Sequence, residues 1–352
     1  MENDLKLTGE HGRIETGEID RRYSRPRLVR AVLFMVVSFL APALVTNTSF
    51  AQSHPPQRPA KTHPQAKVIK KNSTHRRDGA TKRRRAKHRP AAGPHLMASC
   101  GYSPRAVSAL HSRTAYVLDV DSNTVLLARN ARTVRPIASI SKLMTAVVAR
   151  DAARPLNGVL RITARDRDTI KLTGSRLPIG AELSRRDMFH IALMSSENRA
   201  ASALGHDYPG GRTAFVKAMN REARRLGMRH THFREPTGLS PHNVSTAEDL
   251  ARLVNAAAQD PLIRYFSTDI SATVYPGESE LLYRNSNSLV RNRSLPILLQ
   301  KTGFIRESGH SVVLRMNVKG RRETVVLLGA PTRAGVTSDA IKIHRWLTCS
   351  IR

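Results

Sequence analysis

Histidines at the spacing of a metal site are lacking in this sequence, although its 352 residues include 14 histidines. Neither His190 nor His310 belongs to a His-Glu-x-x-His motif, the pattern in which two histidines on one helix face bind zinc. The chemistry of a zinc peptidase is therefore unsupported. We expect the protein to work without a metal ion or any other cofactor.

A long apolar run is lacking as well. Residues 31–45 carry no charge, but about 15 apolar residues are fewer than the roughly 20 that a membrane-spanning helix needs. The run fits a secretory signal peptide, and small residues at Ser49 and Ala51 fit cleavage after Ala51. We therefore predict a signal peptide with an extended n-region over residues 1–51, and a periplasmic protein. A later translation start and an uncleaved N-terminal membrane anchor are the alternatives.

Acidic residues are scarce: there are 27 of them against 58 lysines and arginines, and the formal net charge is +31. The imbalance is strongest in residues 52–99, which have 13 basic residues, one acidic residue and almost no large apolar ones. Such a segment cannot bury enough apolar surface to fold, so we predict a disordered basic linker. It either contacts the anionic cell envelope or only keeps the chain soluble. Export and the lack of interleaved aromatic residues argue against specific binding of nucleic acid.

Only two cysteines are present, Cys100 and Cys349, and they lie near the two ends of the stretch from residue 100 to residue 352. In an oxidising compartment they could form a disulfide that joins the two ends of a domain, because domain termini often lie close together. Two free thiols are the alternative. Residues 100–352 are long enough for one substantial core, or for two lobes that share an interface.

Apolar periodicity predicts the main elements of this domain. Two β-branched and apolar runs, separated by a turn at residues 121–123, indicate a hairpin, and three further strands are predicted toward the C-terminus. Helical spacing predicts a helix over residues 212–226, and a capping box that starts at Ser245 opens another helix. The predicted strands are 114–120, 124–128, 298–301, 311–318 and 323–328, and a final helix is predicted over 338–349.

Ser139 and Lys142 form a Ser-x-x-Lys motif at the predicted start of a helix. A serine hydroxyl is a poor nucleophile until a base takes its proton, and a lysine at i+3 lies close enough to do so. The lysine pKa, ordinarily about 10.4, must first be lowered by burial or by a neighbouring cation. The motif alone is weak evidence, because a helix-capping serine followed by a solvated lysine gives the same pattern.

Two further motifs follow in a fixed order, Ser196-Glu-Asn198 and then Lys301-Thr-Gly303. A Ser-x-x-Lys, a Ser-x-Asn and a Lys-Thr-Gly in this order are the pattern of penicillin-binding proteins and serine β-lactamases. The sequence resembles the D-alanyl-D-alanine endopeptidases of the penicillin-binding protein 7 type. The resemblance runs from Thr114 to the C-terminus, and the segments that carry it are 136–146, 192–201, 235–240, 243–247 and 301–304.

The resemblance implies an α+β fold, the penicillin-binding transpeptidase or serine β-lactamase-like fold. In that fold an antiparallel five-stranded sheet packs against a helical lobe, and the two N-terminal and three C-terminal predicted strands suit such a sheet. The resemblance also implies that residues 100–352 are a DD-peptidase catalytic domain. The short stretch after Gly303 leaves space for strands and one helix only, which favours the endopeptidase type over the larger carboxypeptidases.

Roles for the first two motifs follow from the resemblance. Ser139 would attack the carbonyl of a D-Ala-containing peptide bond and form an acyl-enzyme, with Lys142 as the base. Ser196 would pass a proton to the leaving amine, and Asn198 would bind the substrate backbone or Lys142. The structural alternative for Ser196 and Asn198 is a helix-end cap.

The Lys-Thr-Gly motif is expected to bind substrate. A Lys301 cation would lower the pKa of Lys142, and Thr302 would bind the substrate carboxylate. Gly303 would let the substrate strand approach the sheet edge, because a side chain there would obstruct pairing. The resemblance implies an oxyanion hole made by the backbone N–H groups of the nucleophilic serine and of Phe304.

The predicted function is that of a periplasmic serine DD-endopeptidase, which hydrolyses D-Ala–diaminopimelate cross-links in peptidoglycan. Its partners would be peptidoglycan stem peptides, and β-lactams such as penicillins would inhibit it covalently. We find no counterpart of the glutamate that activates the deacylating water in class A β-lactamases, so β-lactams should be turned over slowly. The alternatives are a DD-carboxypeptidase that removes the terminal D-Ala and a non-catalytic peptidoglycan-binding scaffold.

Overall fold

In the computed structural model, residues 94–291 and 293–351 are described. The predicted signal peptide over residues 1–51 lies outside them, as does the predicted basic linker up to residue 93. Leu96 is buried, and the backbone N–H of Met97 donates a hydrogen bond to Ser350 Oγ at 2.9 Å. Within the described residues, no helix combines the length and the apolar character that crossing a membrane requires.

Secondary structure covers most of the described chain. The helices are α1 (Pro104–Ser108), α2 (Ser141–Asp151), α3 (Arg185–Met194), α4 (Asn198–His206), α5 (Gly211–Arg225), α6 (Ala247–Ala257), α7 (Pro261–Thr268), α8 (Ser288–Arg291) and α9 (Arg333–Ser350). The strands are β1 (Thr114–Asp119), β2 (Thr124–Arg129), β3 (Arg135–Pro136), β4 (Val159–Arg161), β5 (Glu182–Ser184), β6 (Val244–Ser245), β7 (Ser271–Val274), β8 (Leu281–Arg284), β9 (Ile297–Ile305), β10 (Gly309–Val318) and β11 (Arg321–Ala330). The 3-10 turns are Ala98–Cys100, Ala138–Ile140 and Ala164–Asp166.

The main sheet has five strands in the order β2-β1-β11-β10-β9, and each neighbouring pair is antiparallel. The N-terminal hairpin joins the three C-terminal strands through the β1 and β11 pair, in which Tyr116 lies opposite Val326. β9 is an edge strand, so one of its sides has no neighbour among the described strands of this sheet. The predicted α+β fold, with an antiparallel five-stranded sheet and a helical lobe, is confirmed.

Both faces of the sheet are covered, which explains why β10 and β11 are buried along most of their length. One face packs on α9 through Val336, Ile343 and Leu347. The other face packs on the helical lobe, whose central helix is α2, and the residues from Ser141 to Ala149 are all buried. Because α2 contacts α3, α4, α5 and α6, a side chain in its first turn is held rigidly near the sheet.

Some predicted element ends are displaced. The capping box predicted from Ser245 is shifted by one residue, because Thr246 is the N-cap of α6 and its hydroxyl accepts a first-turn backbone N–H at 3.2 Å. The final helix begins at Arg333 rather than at residue 338. β9 extends to Ile305, because pairing with β10 continues through the Lys-Thr-Gly motif. That motif therefore lies within the edge strand and not at its end.

A disulfide joins Cys100 and Cys349, whose sulfur atoms are 2.01 Å apart. It connects the 3-10 turn at Ala98–Cys100 to the last turn of α9. The ring of Tyr102 lies edge-on to that of Trp346, with centroids 5.6 Å apart, and packs the same end of the domain. The two cysteines therefore form a disulfide and are not free thiols.

Replacing both cysteines by serine is expected to destabilise the domain by about 2–5 kcal/mol, because the cross-link restricts the unfolded chain over nearly the whole domain. The measurement is the midpoint of chemical unfolding of the purified, oxidised protein. Reductant should bring the parent to the midpoint of the double variant and leave the variant unchanged. Equal midpoints of the oxidised parent and the variant would contradict the prediction.

Candidate active site

Ser139 lies in the 3-10 turn Ala138–Ile140, immediately before α2 begins at Ser141. Its backbone is therefore outside the regular helix that carries Lys142. Ala138 has a φ of 49°, in the left-handed region that residues other than glycine rarely adopt. A strained residue of this kind persists only where its surroundings hold it in place, and such residues cluster at active sites.

Two glycines from different parts of the chain pack closely against the backbone at this turn. A Cβ on Gly238, whose φ is 84°, would lie 2.0 Å from the carbonyl oxygen of Ala138, far inside any contact distance. A Cβ on Gly303 would lie 2.9 Å from the carbonyl oxygen of Ile137. The sequence predicts that Gly303 leaves space for the substrate. In the structure it also leaves space for the backbone next to the turn that holds Ser139. Close backbone approach requires glycine at both positions.

The Lys142 side chain points back from α2 to this turn and is only 1% exposed. Its Nζ atom lies 2.9 Å from Ser139 Oγ, 2.8 Å from Asn198 Oδ1 and 2.6 Å from the backbone oxygen of Thr237. These contacts occupy all three donor positions of a lysine ammonium group. The structure therefore joins the Ser-x-x-Lys and Ser-x-Asn motifs through one buried amine.

Burial lowers the pKa of Lys142 to about 8. Three nearby carboxylates, those of Glu235, Glu197 and Asp168, act against burial by favouring the charged amine. Burial also lowers the pKa of Lys301 well below its ordinary value, and the charge of Lys142 lowers it further. Desolvation is the largest cause of the lowered pKa of Lys142, and the contribution of a Lys301 cation stays a prediction.

Ser196 and Asn198 lie where α3 ends and α4 begins. Ser196 has a left-handed φ of 69°, and Asn198 is the first residue of α4. Glu197 is the N-cap, and its carboxylate accepts the backbone N–H of Arg199 at 3.1 Å. The capping that was the structural alternative for the two motif residues is thus done by Glu197. Among the described residues, the Ser196 hydroxyl has no hydrogen-bond partner, and Asn198 Nδ2 donates to Thr173 Oγ1 at 3.3 Å.

The residues of β9 next to the turn differ in what they contact. Lys301 is fully buried, and its Nζ donates to the backbone oxygen of Thr302 at 3.0 Å. The hydroxyl of Thr302 lies 2.6 Å from Ser286 Oγ. Phe304 is 53% exposed and stacks on His310 with ring centroids 4.2 Å apart. Thr302 and Phe304 are therefore accessible to a bound molecule, whereas Lys301 is not.

A cleft of about 270 Å³ lies between the helical lobe and the edge strand. Six of the predicted site residues line it: Ser139, Ser196, Asn198, Thr302, Gly303 and Phe304. The other two, Lys142 and Lys301, are buried behind its wall. The fold thus brings together all eight predicted residues, although they are distant in the sequence.

Glu235 belongs to this site, although no role was predicted for it. It is 3% exposed, and its carboxylate accepts the backbone N–H groups of Thr237 at 2.6 Å, Gly238 at 2.7 Å and Ser240 at 3.2 Å. These bonds fold the loop that presents the Thr237 oxygen to Lys142. The Pro-Thr-Gly sequence after Glu235 indicates a tight turn, which is the one local signal of this loop.

Asn243 fixes the same loop to α2. Its Oδ1 accepts the backbone N–H of Arg234 at 2.8 Å, and its Nδ2 donates to the backbone oxygen of Glu235 at 2.9 Å. Nδ2 also lies 3.0 Å from the hydroxyl of Ser141, which in turn donates to the carbonyl oxygen of Ala138 at 2.8 Å. One buried amide thus holds the loop and the strained turn in register.

Arg333 is a second residue without a predicted role. It is the exposed first residue of α9, and it lines the cleft together with His310 and Ser311. Partial burial lowers the pKa of His310, and the charge of Arg333 lowers it further. The guanidinium of Arg333 has no ion pair among the described residues. This end of the cleft is therefore cationic and suits a carboxylate.

A family model described as D-alanyl-D-alanine carboxypeptidase matches residues 102–332. The chain belongs to this family. It is 46% identical over 241 residues to a D-alanyl-D-alanine endopeptidase of Pseudomonas aeruginosa, a match that covers 68% of this chain and 77% of the relative. A D-alanyl-D-alanine endopeptidase of Escherichia coli is 42% identical over 265 residues, which cover 72% of this chain and 86% of the relative. Penicillin-binding protein D2 of Listeria monocytogenes, solved with cefotaxime bound, is 27% identical with a TM-score of 0.61, covering 68% of this chain and 97% of that one.

Membership of the D-alanyl-D-alanine carboxypeptidase family confirms two predictions. One is the resemblance to D-alanyl-D-alanine endopeptidases, and the other is the enzyme class, a serine hydrolase. Acyl transfer in such an enzyme needs a nucleophile, a base and donors for an oxyanion. The cleft has candidates for each of these: Ser139 and Lys142 on the side of the helical lobe, and backbone N–H groups at Ser139 and on β9.

Proposed function

We propose that this protein is a periplasmic serine DD-endopeptidase, which hydrolyses D-Ala–diaminopimelate cross-links in peptidoglycan through an acyl-enzyme on Ser139. The observation that carries the proposal is the buried Lys142 amine, 2.9 Å from the Ser139 hydroxyl. Its other two partners, Asn198 Oδ1 and the oxygen of Thr237, can only accept hydrogen bonds. When Lys142 is neutral, Ser139 is therefore the one partner of the three that can donate to its lone pair.

In the acylation step, Ser139 Oγ attacks the carbonyl carbon of the D-Ala residue while its proton passes to Lys142 Nζ. The backbone N–H groups of Ser139 and Phe304 stabilise the oxyanion that forms. The free edge of β9 offers backbone groups to an extended substrate, which would add a strand next to Gly303. The rigid turn before α2 keeps the nucleophile at that edge.

Collapse of the tetrahedral intermediate breaks the C–N bond, and the leaving amine takes a proton. Ser196 passes this proton on from Lys142, because its unpartnered hydroxyl lines the same cleft. Water then attacks the ester carbonyl while Lys142 takes its proton, and Ser139 leaves with a proton. The products are the free acid of one stem and the free amine of the other.

The cationic end of the cleft binds the carboxylate next to the scissile bond. Thr302 offers a hydroxyl that its contact with Ser286 orients, and Arg333 offers a charged guanidinium. Hydrogen bonds between charged partners are about twice as strong as neutral ones. Thr302 thus keeps its predicted role and shares it with Arg333.

The location and the remaining partners belong to the same proposal. A signal peptide over residues 1–51 would export the chain, the basic linker over residues 52–99 would contact the anionic envelope, and residues 100–352 would be the catalytic domain. The family match over residues 102–332 supports the extent of that domain. The cefotaxime-bound relative supports β-lactams as covalent inhibitors.

Removal of a terminal D-Ala is the second candidate function, because the family model has that description. It needs the same nucleophile, base and oxyanion donors as cleavage of a cross-link. Only the size of the leaving group differs between the two reactions.

The test is intact mass spectrometry of the protein after incubation with a penicillin, followed by digestion of cross-linked muropeptides. We expect one covalent adduct on the parent, none on Ser139→Ala, and release of uncross-linked stems by the parent alone. Ser108→Ala is the matched control and should give the adduct of the parent, because that serine is exposed at the end of α1 and does not line the cleft. A folded parent without an adduct would favour the scaffold alternative.

A further inference from the structure

A second groove, of about 750 Å³, opens beside the catalytic cleft. Its walls are residues 174–176, the junction between α3 and α4, and the end of β8. Ser195, Ser196 and Asn198 line both the groove and the cleft, so the two spaces adjoin at these residues. A molecule in the cleft that extends past Ser196 therefore enters the groove.

Two exposed arginines, Arg176 and Arg284, give the groove a positive charge. The guanidinium of Arg176 lies 4.0 Å from the ring centroid of Tyr283, and its Nη1 donates to the backbone oxygen of Leu282 at 2.7 Å. These contacts fix the position of Arg176 and leave its other N–H groups available. Arg284 has no ion pair or side-chain hydrogen bond among the described residues.

Glu197 is the only acidic side chain among the described residues that line the groove. Its carboxylate accepts the hydroxyl of Ser175 at 2.7 Å, the backbone N–H of Arg199 at 3.1 Å and the hydroxyl of Tyr283 at 3.4 Å. It forms no ion pair with either arginine among the described residues, and one carboxylate against two guanidinium groups leaves the groove with a net positive charge. Leu282, which is 42% exposed, adds an apolar surface to the same wall.

We propose that this groove binds the amine-side stem peptide of a cross-linked substrate, with Arg176 and Arg284 as the contacts for its carboxylates. The inference rests on the proposed function, in which Ser196 gives a proton to the leaving amine. That amine must then lie at the junction of the two spaces. The carboxylate on the same carbon stays at the cationic end of the cleft, and the side chain that carries the rest of the stem extends into the groove. A stem peptide is anionic, which matches the charge of the groove.

The same geometry separates the two candidate reactions. When a terminal D-Ala is removed, the leaving group is a single amino acid that ends within the cleft. When a cross-link is cleaved, the leaving group is a whole stem that reaches the arginines. The groove is therefore a specificity determinant for cross-linked substrate and takes no part in the chemical step.

The experiment compares two substrates of the full exported protein, a cross-linked muropeptide dimer and an uncross-linked pentapeptide stem. In the double variant Arg176→Ala with Arg284→Ala, we expect the ratio of kcat/KM for dimer to kcat/KM for pentapeptide to fall about fivefold to tenfold, mainly through KM. Lysine at both positions should restore most of the ratio. Arg221→Ala, an exposed arginine on α5, is the control and should leave the ratio unchanged.

Added salt supplies a second measurement, because exposed charges are screened. The dimer rate of the parent should fall more steeply with salt than that of the double variant. A parent that cleaves both substrates, with the same ratio in the double variant, would overturn the inference and leave the proposed function intact. A parent that forms no penicillin adduct and cleaves neither substrate would overturn both.

Discussion

With methionine in place of Lys142, acylation by a penicillin is expected to slow about a thousandfold, because a positioned general base contributes 10²–10⁴-fold. The Ser139 hydroxyl has this amine within 2.9 Å, and the amine has no competing donor among its three contacts. Methionine fills a similar volume without a polar group, so the packing of α2 should be retained. The measurement is the rate at which the covalent adduct appears in quenched samples.

Lys217→Met is the matched control for this substitution. Lys217 is exposed on α5, so the same chemical change should leave the rate of acylation at the parent value. Thermal unfolding of both variants establishes that each is folded. An adduct that forms on folded Lys142→Met at the parent rate would exclude Lys142 as the base.

The pattern of motifs predicts the fold and the motif residues of the candidate site, but not what holds them together. Ser139, Lys142 and Ser196 are the residues that we propose for the chemistry, and their residue types in that order suffice to find them. Glu235 holds its loop in shape by accepting three backbone N–H groups, and these groups meet its carboxylate only when the loop is folded. No periodicity in the sequence indicates which carboxylate will meet them.

Arg333 shows a different limit of prediction. Apolar spacing locates the body of α9, but its first turn is set by the cap at Thr332, whose hydroxyl accepts the backbone N–H of Gly335 at 3.0 Å. That cap extends the helix toward the cleft and brings Arg333 to it. Helix ends depend on a few local hydrogen bonds and are therefore predicted less well than helix centres.

The origin of the lowered lysine pKa is also set by the fold. A sequence with two motif lysines suggests that each lowers the pKa of the other by repulsion. In the structure both are buried, and desolvation is the largest cause of the lowered pKa of each lysine. Burial depends on α2 being enclosed by four other helices, which is a property of the whole lobe.

Acylation is expected to depend steeply on pH, because only neutral Lys142 can take the proton of Ser139. Burial lowers the pKa of Lys142 to about 8, so the charged, inactive form dominates below that pH and the neutral form above it. The rate should therefore fall about tenfold for each pH unit below 8 and level off above it. The measurement is the rate of penicillin adduct formation from about pH 6 to about pH 9 at constant ionic strength.

A matched variant makes the sign of this dependence specific to Lys142. The Glu197 carboxylate raises the pKa of Lys142, so Glu197→Gln should move the midpoint of the profile to lower pH and raise the rate near pH 7. An effect of Glu197 on folding alone would change the plateau rate and leave the midpoint in place. A flat profile, or a rate that falls between pH 6 and pH 8, would contradict a neutral lysine base. The direction of the shift therefore decides whether the buried amine or some other group limits the attack by Ser139.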